Sequence, residues 1–454
     1  MELRDYQVEL INRVRLEMSQ GRKTMIVTSP TGSGKTVMVA HMMKLAAEKG
    51  KRSLFLVHRK ELIDQTLATF NAVGLDSGLV VAGERPSIKT ATLGSILTVA
   101  NKLESLGKMD LVVYDEAHHV AAKSWSKVHG FFRESFHIGL TATPVRLDGR
   151  GLGEWFSLII KGPSIKHLID TGWLSKYRLF APSNVDLKGC HTRMGDYVRG
   201  EIDAVVDKPS ITGNVIDQYT KKCAGKRAIV FCITVNHAKN VAQQFADAGI
   251  TSEYIEGGMN DERRSRIIRG FREGNVQVLC SCDLVGEGFD VPGIECAILL
   301  RPTQSFGLYR QQVGRALRPC EGKREAIILD HVGNSTRHGL PDEDTDWSLE
   351  GVRGKKRGES RPGPRICTTC FAASPAGSTV CGYCGIEFPV LQRKLDERAG
   401  ELSEVDLAAE RTKRRIGQGM CRTYEELVEE GKRRGYKHPH GWAYWIAKSR
   451  GIRR

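Results

Sequence analysis

A glycine-rich segment near the start of the chain limits the possible folds more than any other feature. Residues 29–36 read SPTGSGKT, directly after the apolar run Thr24–Thr28 and directly before an apolar helical stretch that begins at Val37. Glycines let the backbone curl so that several N–H groups point at one phosphate, and the helix N-terminus adds positive potential. The segment therefore predicts a phosphate-binding loop between a buried strand and a helix, an arrangement found in α/β proteins.

The residue types in this loop suit a nucleotide and its metal ion. The Lys35 ammonium would reach the terminal phosphates, and the Thr36 hydroxyl would ligate Mg²⁺. The first position, usually Gly or Ala in such loops, is Ser29. We expect the phosphates to contact the other loop residues as well, namely Thr31, Gly32, Ser33 and Gly34.

Two carboxylates follow a second apolar run. Asp115 and Glu116 come directly after Leu111–Tyr114. A carboxylate at a strand end, opposite a phosphate loop, is placed to hold Mg²⁺ through water, and a neighbouring carboxylate can polarise the attacking water. We assign the metal to Asp115 and the general base to Glu116, so the predicted reaction is hydrolysis at the phosphates of a bound nucleotide with Mg²⁺.

Short apolar runs alternate with helical stretches in two parts of the chain. The first part holds Thr24–Thr28, Ser53–His58, Leu111–Tyr114 and Ile138–Thr141, and the second holds AIVFCI, VQVLCS, CAILLR and AIILDH between residues 228 and 331. Continuous β-rich runs separated by helices indicate parallel sheets covered on both faces. We predict an α/β fold of two tandem lobes, residues 1–165 and 207–338, joined by residues 166–206.

Four cysteines form a separate module after a charged linker, residues 339–365. Two CxxC pairs, ten residues apart, consist of Cys367, Cys370, Cys381 and Cys384. Each pair can place two thiolates on one ion at about 2.3 Å, and two pairs complete a tetrahedral zinc site. A redox motif would explain one pair but not two. We predict a zinc module at residues 366–389 that folds on the metal, with its binding partner, nucleic acid or a protein, left open.

The charge of the chain is uneven. It has 68 basic and 53 acidic residues, a net charge of +15, and residues 351–454 hold 22 basic and 12 acidic residues, a net charge of +10. A basic extension on a nearly balanced body indicates a polyanionic partner, of which nucleic acid is the commonest. A solubilising tail is the alternative.

The last segment, residues 390–454, is predicted to be a basic helical tail. Trp442, Trp445 and Ile446 have helical spacing and are expected to form a small core, with base stacking by the aromatic residues as the alternative. Either arrangement leaves basic residues that can bind phosphate, namely Arg433, Arg434, Lys437 and Arg453.

The phosphate loop and the DEAH segment at residues 115–118, in this order and spacing, resemble those of superfamily 2 helicases and translocases. Other segments are similar to further motifs of that family: residues 57–62, 141–144, 229–232, 286–290 and 311–318. The resemblance implies two RecA-like lobes with ATP bound between them. The RadD-like branch of bacterial and phage helicases is similar in its DEAHH run, its FDVPGIE segment and a zinc-ribbon-like module after the second lobe.

The resemblance also implies roles for single residues. Contacts with the nucleotide would come from Arg4, Gln7, Gly288, Asp290 and Gln311, with Gln7 at the adenine edge and Gln311 bonded to His118. Arg315 and Arg318, at i and i+3 of one helix, would present both guanidinium groups to the γ-phosphate as arginine fingers.

These observations predict a nucleic-acid-dependent ATPase that acts as a DNA helicase or translocase in DNA repair, recombination or replication. DNA is expected rather than RNA because the resemblance runs to DNA motors. The alternatives are an RNA helicase, an ATP-gated DNA-binding scaffold and a motor subunit of a restriction-type complex. The chain has no apolar run near the roughly 18 residues of a membrane span and no secretory signal. We therefore expect a soluble, cytoplasmic protein with a possible protein partner at the zinc module or tail.

Overall fold

The computed structural model describes residues 1–58, 60–146, 149–182, 191–193, 196–197, 209–282, 293–351, 363–389, 420–436 and 438–452. The chain divides into two compact units, residues 1–389 and 390–454. The first unit contains both lobes and the cysteine module. None of the helices in the described ranges is both long and apolar enough to cross a bilayer.

Lobe 1 is built on a seven-stranded sheet. Its strands are β1 (Thr24–Thr28), β2 (Ser53–Val57), β3 (Ser77–Val80), β4 (Ala91–Ser95), β5 (Leu111–Tyr114), β6 (Phe136–Thr141) and β7 (Leu158–Lys161). They lie in the order β3-β4-β2-β5-β6-β1-β7, and every pairing is parallel. Its helices are α1 (Asp5–Ser19), α2 (Lys35–Glu48), α3 (Lys60–Val73), α4 (Ile96–Asn101), α5 (Leu103–Leu106), α6 (Lys123–Phe131) and α7 (Ile165–Asp170).

Lobe 2 is built on a six-stranded parallel sheet. It contains β8 (Tyr177–Phe180), β11 (Ala228–Cys232), β12 (Ser252–Ile255), β13 (Val278–Cys282), β14 (Cys296–Leu299) and β15 (Ala326–Asp330), in the order β12-β13-β11-β14-β15-β8. Its helices are α8 (Pro209–Cys223), α9 (Val235–Asp247), α10 (Asp261–Glu273), α11 (Phe306–Ala316) and α12 (Asn334–His338), and a small hairpin pairs β9 (Thr192–Arg193) with β10 (Asp196–Tyr197). The prediction of two parallel α/β lobes is confirmed.

Strand β8 belongs to lobe 2 although it lies in the segment expected to connect the lobes. Tyr177 pairs with Ala326 and Phe180 with Leu329, so β8 extends the edge of the second sheet. Its first two residues are half-buried. An edge strand of this kind lacks the continuous apolar run by which the central strands are recognised in a sequence.

Residues 340–351, which we call the acidic strap, pack across both lobes, although they were expected to be part of a charged linker. The Tyr177 hydroxyl in lobe 2 donates to Asp342. On lobe 1, the Lys161 ammonium lies 2.6 Å from Asp346. Leu349 packs against the hydrophobic cluster of lobe 1 that includes Leu54 and Val112. An acidic composition predicts exposure to water, and the docking of Leu349 outweighs it here.

The cysteine module contains β16 (Arg365–Ile366) and β17 (Ala373–Ser374), an antiparallel pair. The module packs on lobe 2. The Ala181 N–H donates to the Phe371 carbonyl at 3.0 Å, and the rings of Phe180 and Tyr383 meet edge to face at 5.4 Å. Cys367 and Cys381 belong to the same buried cluster as the strands of lobe 2.

The second unit, where the structure describes it, is a pair of helices, α13 (Tyr424–Arg433) and α14 (Pro439–Arg450). Thr423 caps α13 by accepting a bond from the Glu426 N–H, and the Glu426 side chain reaches back to the Thr423 N–H. This capping box fixes the start of the helix. The buried residues between the helices are Tyr424, Leu427, Val428, Ala443 and Ala447.

Candidate functional site

The phosphate loop leaves the end of β1 and opens α2, as its sequence predicts. The Ser29 and Ser33 hydroxyls are bonded at 2.7 Å, which fixes the curl of the loop. Gly34 takes the left-handed conformation at φ +75°, which favours glycine, and α2 begins at Lys35. The Lys35 ammonium donates to the carbonyls of Ser29 and Pro30, at 3.0 and 3.2 Å. Thr36 lies in the first turn of α2.

The first turn of α1 contacts the phosphate loop directly. The Gln7 amide donates to the carbonyls of Ser33 and Gly34 at 3.0 and 3.1 Å, and its oxygen accepts the Arg4 N–H at 2.9 Å. The Tyr6 hydroxyl also donates to Ser33. The structure thus joins Arg4 and Gln7 to the loop, while the contact of Gln7 with adenine stays a prediction.

Asp115 and Glu116 lie where β5 ends. Glu116 is one of two non-glycine residues with a positive φ (+50°) among the described residues. A positive φ is uncommon for a residue other than glycine, and residues with such strained backbones cluster at functional sites. His118 places Nδ1 3.4 Å from the Glu116 carboxylate and 3.2 Å from the Thr141 hydroxyl. Burial, together with the Glu116 charge, raises the pKa of Asp115 to about 6.

Lobe 2 closes directly onto the loop. Gly314 of α11 lies against Thr31, since a Cβ at Gly314 would stand 2.9 Å from the Thr31 Cβ. A Cβ at Gly32 would lie 3.2 Å from Cγ of Arg318. Gln311 of the same helix is buried. The second lobe therefore brings Gly314 and Arg318 to the same loop.

Charged side chains of both lobes act electrostatically on the Lys35 ammonium. Burial is the main cause that lowers the pKa of Lys35. The charges of Glu116 and Asp115 in lobe 1 raise this pKa, and those of Arg318 and Arg315 in lobe 2 lower it. Two carboxylates and two guanidinium groups thus act on the lysine of the phosphate loop. Such a group can bind a polyphosphate with a divalent cation and polarise a water molecule beside it.

One prediction about this site is wrong in its geometry. Helix α11 ends at Ala316, with Leu317 as its C-cap, so Arg315 and Arg318 do not share a helix. Arg318 precedes Pro319, and a proline disfavours the helical conformation of the residue before it. The Arg318 carbonyl instead accepts a bond from Lys323 at 2.7 Å. Arg318 therefore reaches the loop from a turn, and Arg315 reaches it from the last turn of the helix.

Several predicted residues lie outside the described part of the chain. These are Gly288 and Asp290 of the segment 286–290, Arg59 of the segment 57–62, and the tail residues Lys437 and Arg453. Their roles stay predictions.

Sequence reasoning missed other residues near the loop. The Arg4 guanidinium lies 4.3 Å from the centre of the Trp173 ring, and Leu174 lies against Gly32. A cleft of about 370 Å³ beside the loop is lined by both lobes and by residues 343–347 of the acidic strap. An isolated Trp or Leu in a connecting segment carries no motif, so only the tertiary contacts reveal it.

The four cysteines of the module come together. Their sulfur atoms all lie within 4.8 Å of one another, and the pairs Cys367–Cys384 and Cys370–Cys381 are each 3.6 Å apart. A tetrahedron of 2.3 Å zinc–sulfur bonds separates its sulfurs by about 3.8 Å, so the site fits zinc. A hydrogen bond from the Cys370 backbone is the main cause that lowers the pKa of Cys367 to about 6.

In the tail, one core prediction is wrong and two basic residues are already paired. Trp442 and Ile446 pack on the core of the helix pair, but Trp445 is 66% exposed because it lies on the face of α14 opposite the buried Ala443 and Ala447. Arg433 and Arg434 both bond to the Glu430 carboxylate, at 2.7 Å each, and the pKa of Glu430 falls to about 2, chiefly through Arg433.

Known proteins share these features. Residues 1–146 match the family described as type III restriction enzyme, res subunit, and residues 210–320 match the helicase conserved C-terminal domain. A 51.5 kDa protein of a Lactococcus phage is 35% identical over 81% of this chain and 79% of its own length. The putative ATP-dependent helicase IRC3 of Saccharomyces cerevisiae is 28% identical over 74% of this chain, which spans 52% of that protein.

A solved structure has the same fold. The fragment of a putative HsdR subunit of a type I restriction enzyme from Vibrio vulnificus has a TM-score of 0.58 and 23% identity, covering 74% of this chain and 67% of that one. The two family matches follow each other along the chain, the first over lobe 1 and the second over lobe 2. The chain therefore belongs to the superfamily 2 helicases, and it is an ATP-hydrolysing enzyme of the helicase or translocase type.

Proposed function

We propose that the protein is a DNA-dependent ATPase that moves along or separates DNA strands, with ATP bound between its two lobes. The observation that supports this most is that lobe 2 packs on the phosphate loop of lobe 1, with Arg318 beside Gly32 and Gly314 beside Thr31. A nucleotide held by both lobes couples its hydrolysis to their relative movement, as in other hinged enzymes.

The roles of the residues follow from where they lie. Phosphate oxygens would replace the Ser29 and Pro30 carbonyls as partners of the Lys35 ammonium. Thr36 and Asp115 would hold Mg²⁺, which supplies positive charge between the phosphates when it is bound. The Glu116 carboxylate would take the proton of the attacking water, and its buried neighbour His118 orients it. Arg315 and Arg318 would stabilise the charge that develops on the transferred phosphoryl group.

DNA is the proposed polymer for two reasons. The family that matches lobe 1 is named for a restriction enzyme subunit, and restriction enzymes act on DNA. The net charge of +10 over residues 351–454 also suits a polyphosphate chain. The RadD-like branch, zinc at the four cysteines and a role in DNA repair, recombination or replication belong to the same proposal.

Steady-state ATPase rates with single-stranded, duplex, forked and branched DNA and with RNA test this function. We expect DNA to stimulate hydrolysis more than RNA of the same length. Stimulation by RNA alone would contradict the proposal and indicate an RNA helicase. Strand-displacement and triplex-displacement assays then separate a helicase from a translocase, and activity in neither would indicate an ATP-gated scaffold.

A motor subunit of a restriction-type complex is the second candidate, favoured by the family match over residues 1–146. Such a subunit would translocate along duplex DNA, and cleavage would need a partner that carries a nuclease. Triplex displacement without strand displacement would favour it.

A further inference from the structure

The outer face of helix α14 carries two exposed aromatic side chains. Trp445 is 66% exposed and Tyr444 is 45% exposed, and their ring centres lie 5.8 Å apart with the planes at 73°. The core of the helix pair does not use them, since Ala443 and Ala447 fill that role on the opposite face of α14. Two large aromatic rings in water are therefore not explained by the folding of this unit.

Positive charge accompanies these rings. The Lys448 ammonium lies 5.5 Å from the centre of the Trp445 ring. Helix α14 has no acidic residue, whereas all four acidic residues of the described helix pair lie on α13: Glu425, Glu426, Glu429 and Glu430. The acidic residues are thus confined to α13, which also carries Lys432 and Arg433, and the aromatic pair lies on the helix without acids.

We propose that Trp445, Tyr444 and Lys448 form a binding site for single-stranded nucleic acid, in which bases stack on the rings and Lys448 contacts the backbone phosphate. Exposed aromatic rings beside cations are the usual means of binding single strands without reading their sequence, because every base has a π-face. The bases of a blunt duplex are already stacked on one another, so the site selects single strands.

A protein partner fits these observations less well. A protein interface normally surrounds its aromatic residues with a larger apolar patch, and α14 offers two rings beside an ammonium group. This site would be a second contact with nucleic acid, in addition to that of the two lobes. It rests on the proposed function only in taking nucleic acid as the polymer that is bound.

Fluorescence anisotropy without ATP tests the site on the full chain. The probes are a labelled oligothymidylate, an abasic oligonucleotide of the same length, which has phosphates but no bases, and a blunt duplex. Trp445→Ala should weaken oligothymidylate binding about tenfold, because one stacked base contributes roughly that much. Binding of the abasic strand and of the duplex should not change, and Trp445→Phe should retain most of the affinity.

Two further variants separate stacking from charge. Lys448→Ala should weaken the thymidylate and abasic strands alike and make the salt dependence shallower, by about 0.7 in the log–log slope for one phosphate contact. Phe131→Ala, which removes a similarly exposed ring from α6 of lobe 1, should change nothing and is the matched control.

Three outcomes would overturn the site. Unchanged binding of oligothymidylate by Trp445→Ala is incompatible with stacking, and so is an equal loss of affinity for the abasic strand. Loss of self-association in sedimentation, with unchanged strand binding, would assign the rings to a second copy of the chain. Failure of DNA to stimulate ATP hydrolysis would contradict the proposed function. It would not affect the test of this site, because the binding assays contain no ATP.

Discussion

At the scale of single residues, the separate roles proposed for the two carboxylates after β5 can be distinguished by a substitution. Glu116→Gln keeps Asp115 and the phosphate loop but removes the group that would accept the proton of water. We expect near-normal binding of ATP and DNA with a kcat lower by about 10²-fold or more. Filter binding and steady-state kinetics measure both, and near-normal turnover would assign the general base to another residue.

The position of Arg318 in a turn makes its role testable beside that of Arg315. Arg318→Ala should lower kcat by roughly 10³-fold with little effect on ATP affinity, because an arginine finger acts on charge that develops in the transition state. Pre-steady-state hydrolysis and nucleotide binding separate the two effects. A change confined to ATP affinity would place Arg318 outside the transition state. Arg315 is buried in the last turn of α11, and its substitution should affect the closure of the lobes as well.

His137 gives lobe 1 a pH-dependent stability. Its ring accepts the Tyr114 hydroxyl at 2.8 Å and bonds to the Phe132 carbonyl at 2.9 Å, and burial, with the His129 charge, lowers its pKa to about 4. The unfolded chain, with a His pKa near 6.5, then binds more protons between pH 6.5 and 4.

The free energy of unfolding should therefore be highest above pH 6.5 and fall by about 3 kcal/mol as the pH drops to 4. Urea denaturation at several pH values measures this slope. His137→Gln should make the slope shallower, and an unchanged slope would mean that other groups cause it. Burial also lowers the pKa of His331 to about 4, so some slope should persist in the variant.

At the scale of elements, the acidic strap depends on backbone contact through glycine. A Cβ at Gly151 would lie 1.9 Å from the Leu349 carbonyl and 2.3 Å from the Gly351 nitrogen, and neither atom belongs to a flexible side chain. Gly151→Ala should displace the strap from lobe 1 and cost about 1–3 kcal/mol, as overpacking does.

Thermal denaturation and hydrogen exchange over residues 340–351 measure that loss. Gly130→Ala is the matched control, because a Cβ there meets no atom within 4 Å and alanine favours the helix. Equal melting temperatures and equal exchange in the two variants would show that the strap does not depend on this contact.

At the scale of the whole molecule, the structure decides where the chain can be shortened. An end near residue 340 would remove the strap and the cysteine module, both of which pack on the lobes. An end after Pro389 keeps the first compact unit and removes residues 390–454, which hold 16 basic and 10 acidic residues.

The protein shortened after Pro389 should keep basal ATP hydrolysis, because every proposed ATP residue precedes that point. It should bind DNA more weakly and with a shallower salt dependence, by about 0.9 in the log–log slope for each lost contact with a duplex phosphate. Anisotropy at several salt concentrations gives the slopes. Equal slopes for both proteins would show that the tail does not bind DNA.

The sequence by itself determined the features that depend on adjacent residues or on a regular pattern of apolar residues. Strands β1 and β5 match the apolar runs residue for residue, because central parallel strands are buried on both faces. The phosphate loop and the paired CxxC segments are short stretches whose chemistry depends on adjacent residues. These features were sufficient to predict two α/β lobes, the loop and the four-cysteine cluster.

Only the tertiary structure decided how distant segments meet. Arg318 leaves its helix before Pro319 and still reaches the loop, β8 joins the second sheet as an edge strand, and the acidic strap packs Leu349 on lobe 1. Trp445 lies three residues after the partly buried Trp442 on the same helix, and it faces water. Such outcomes depend on contacts between residues far apart in the chain, and periodicity within one segment does not contain them.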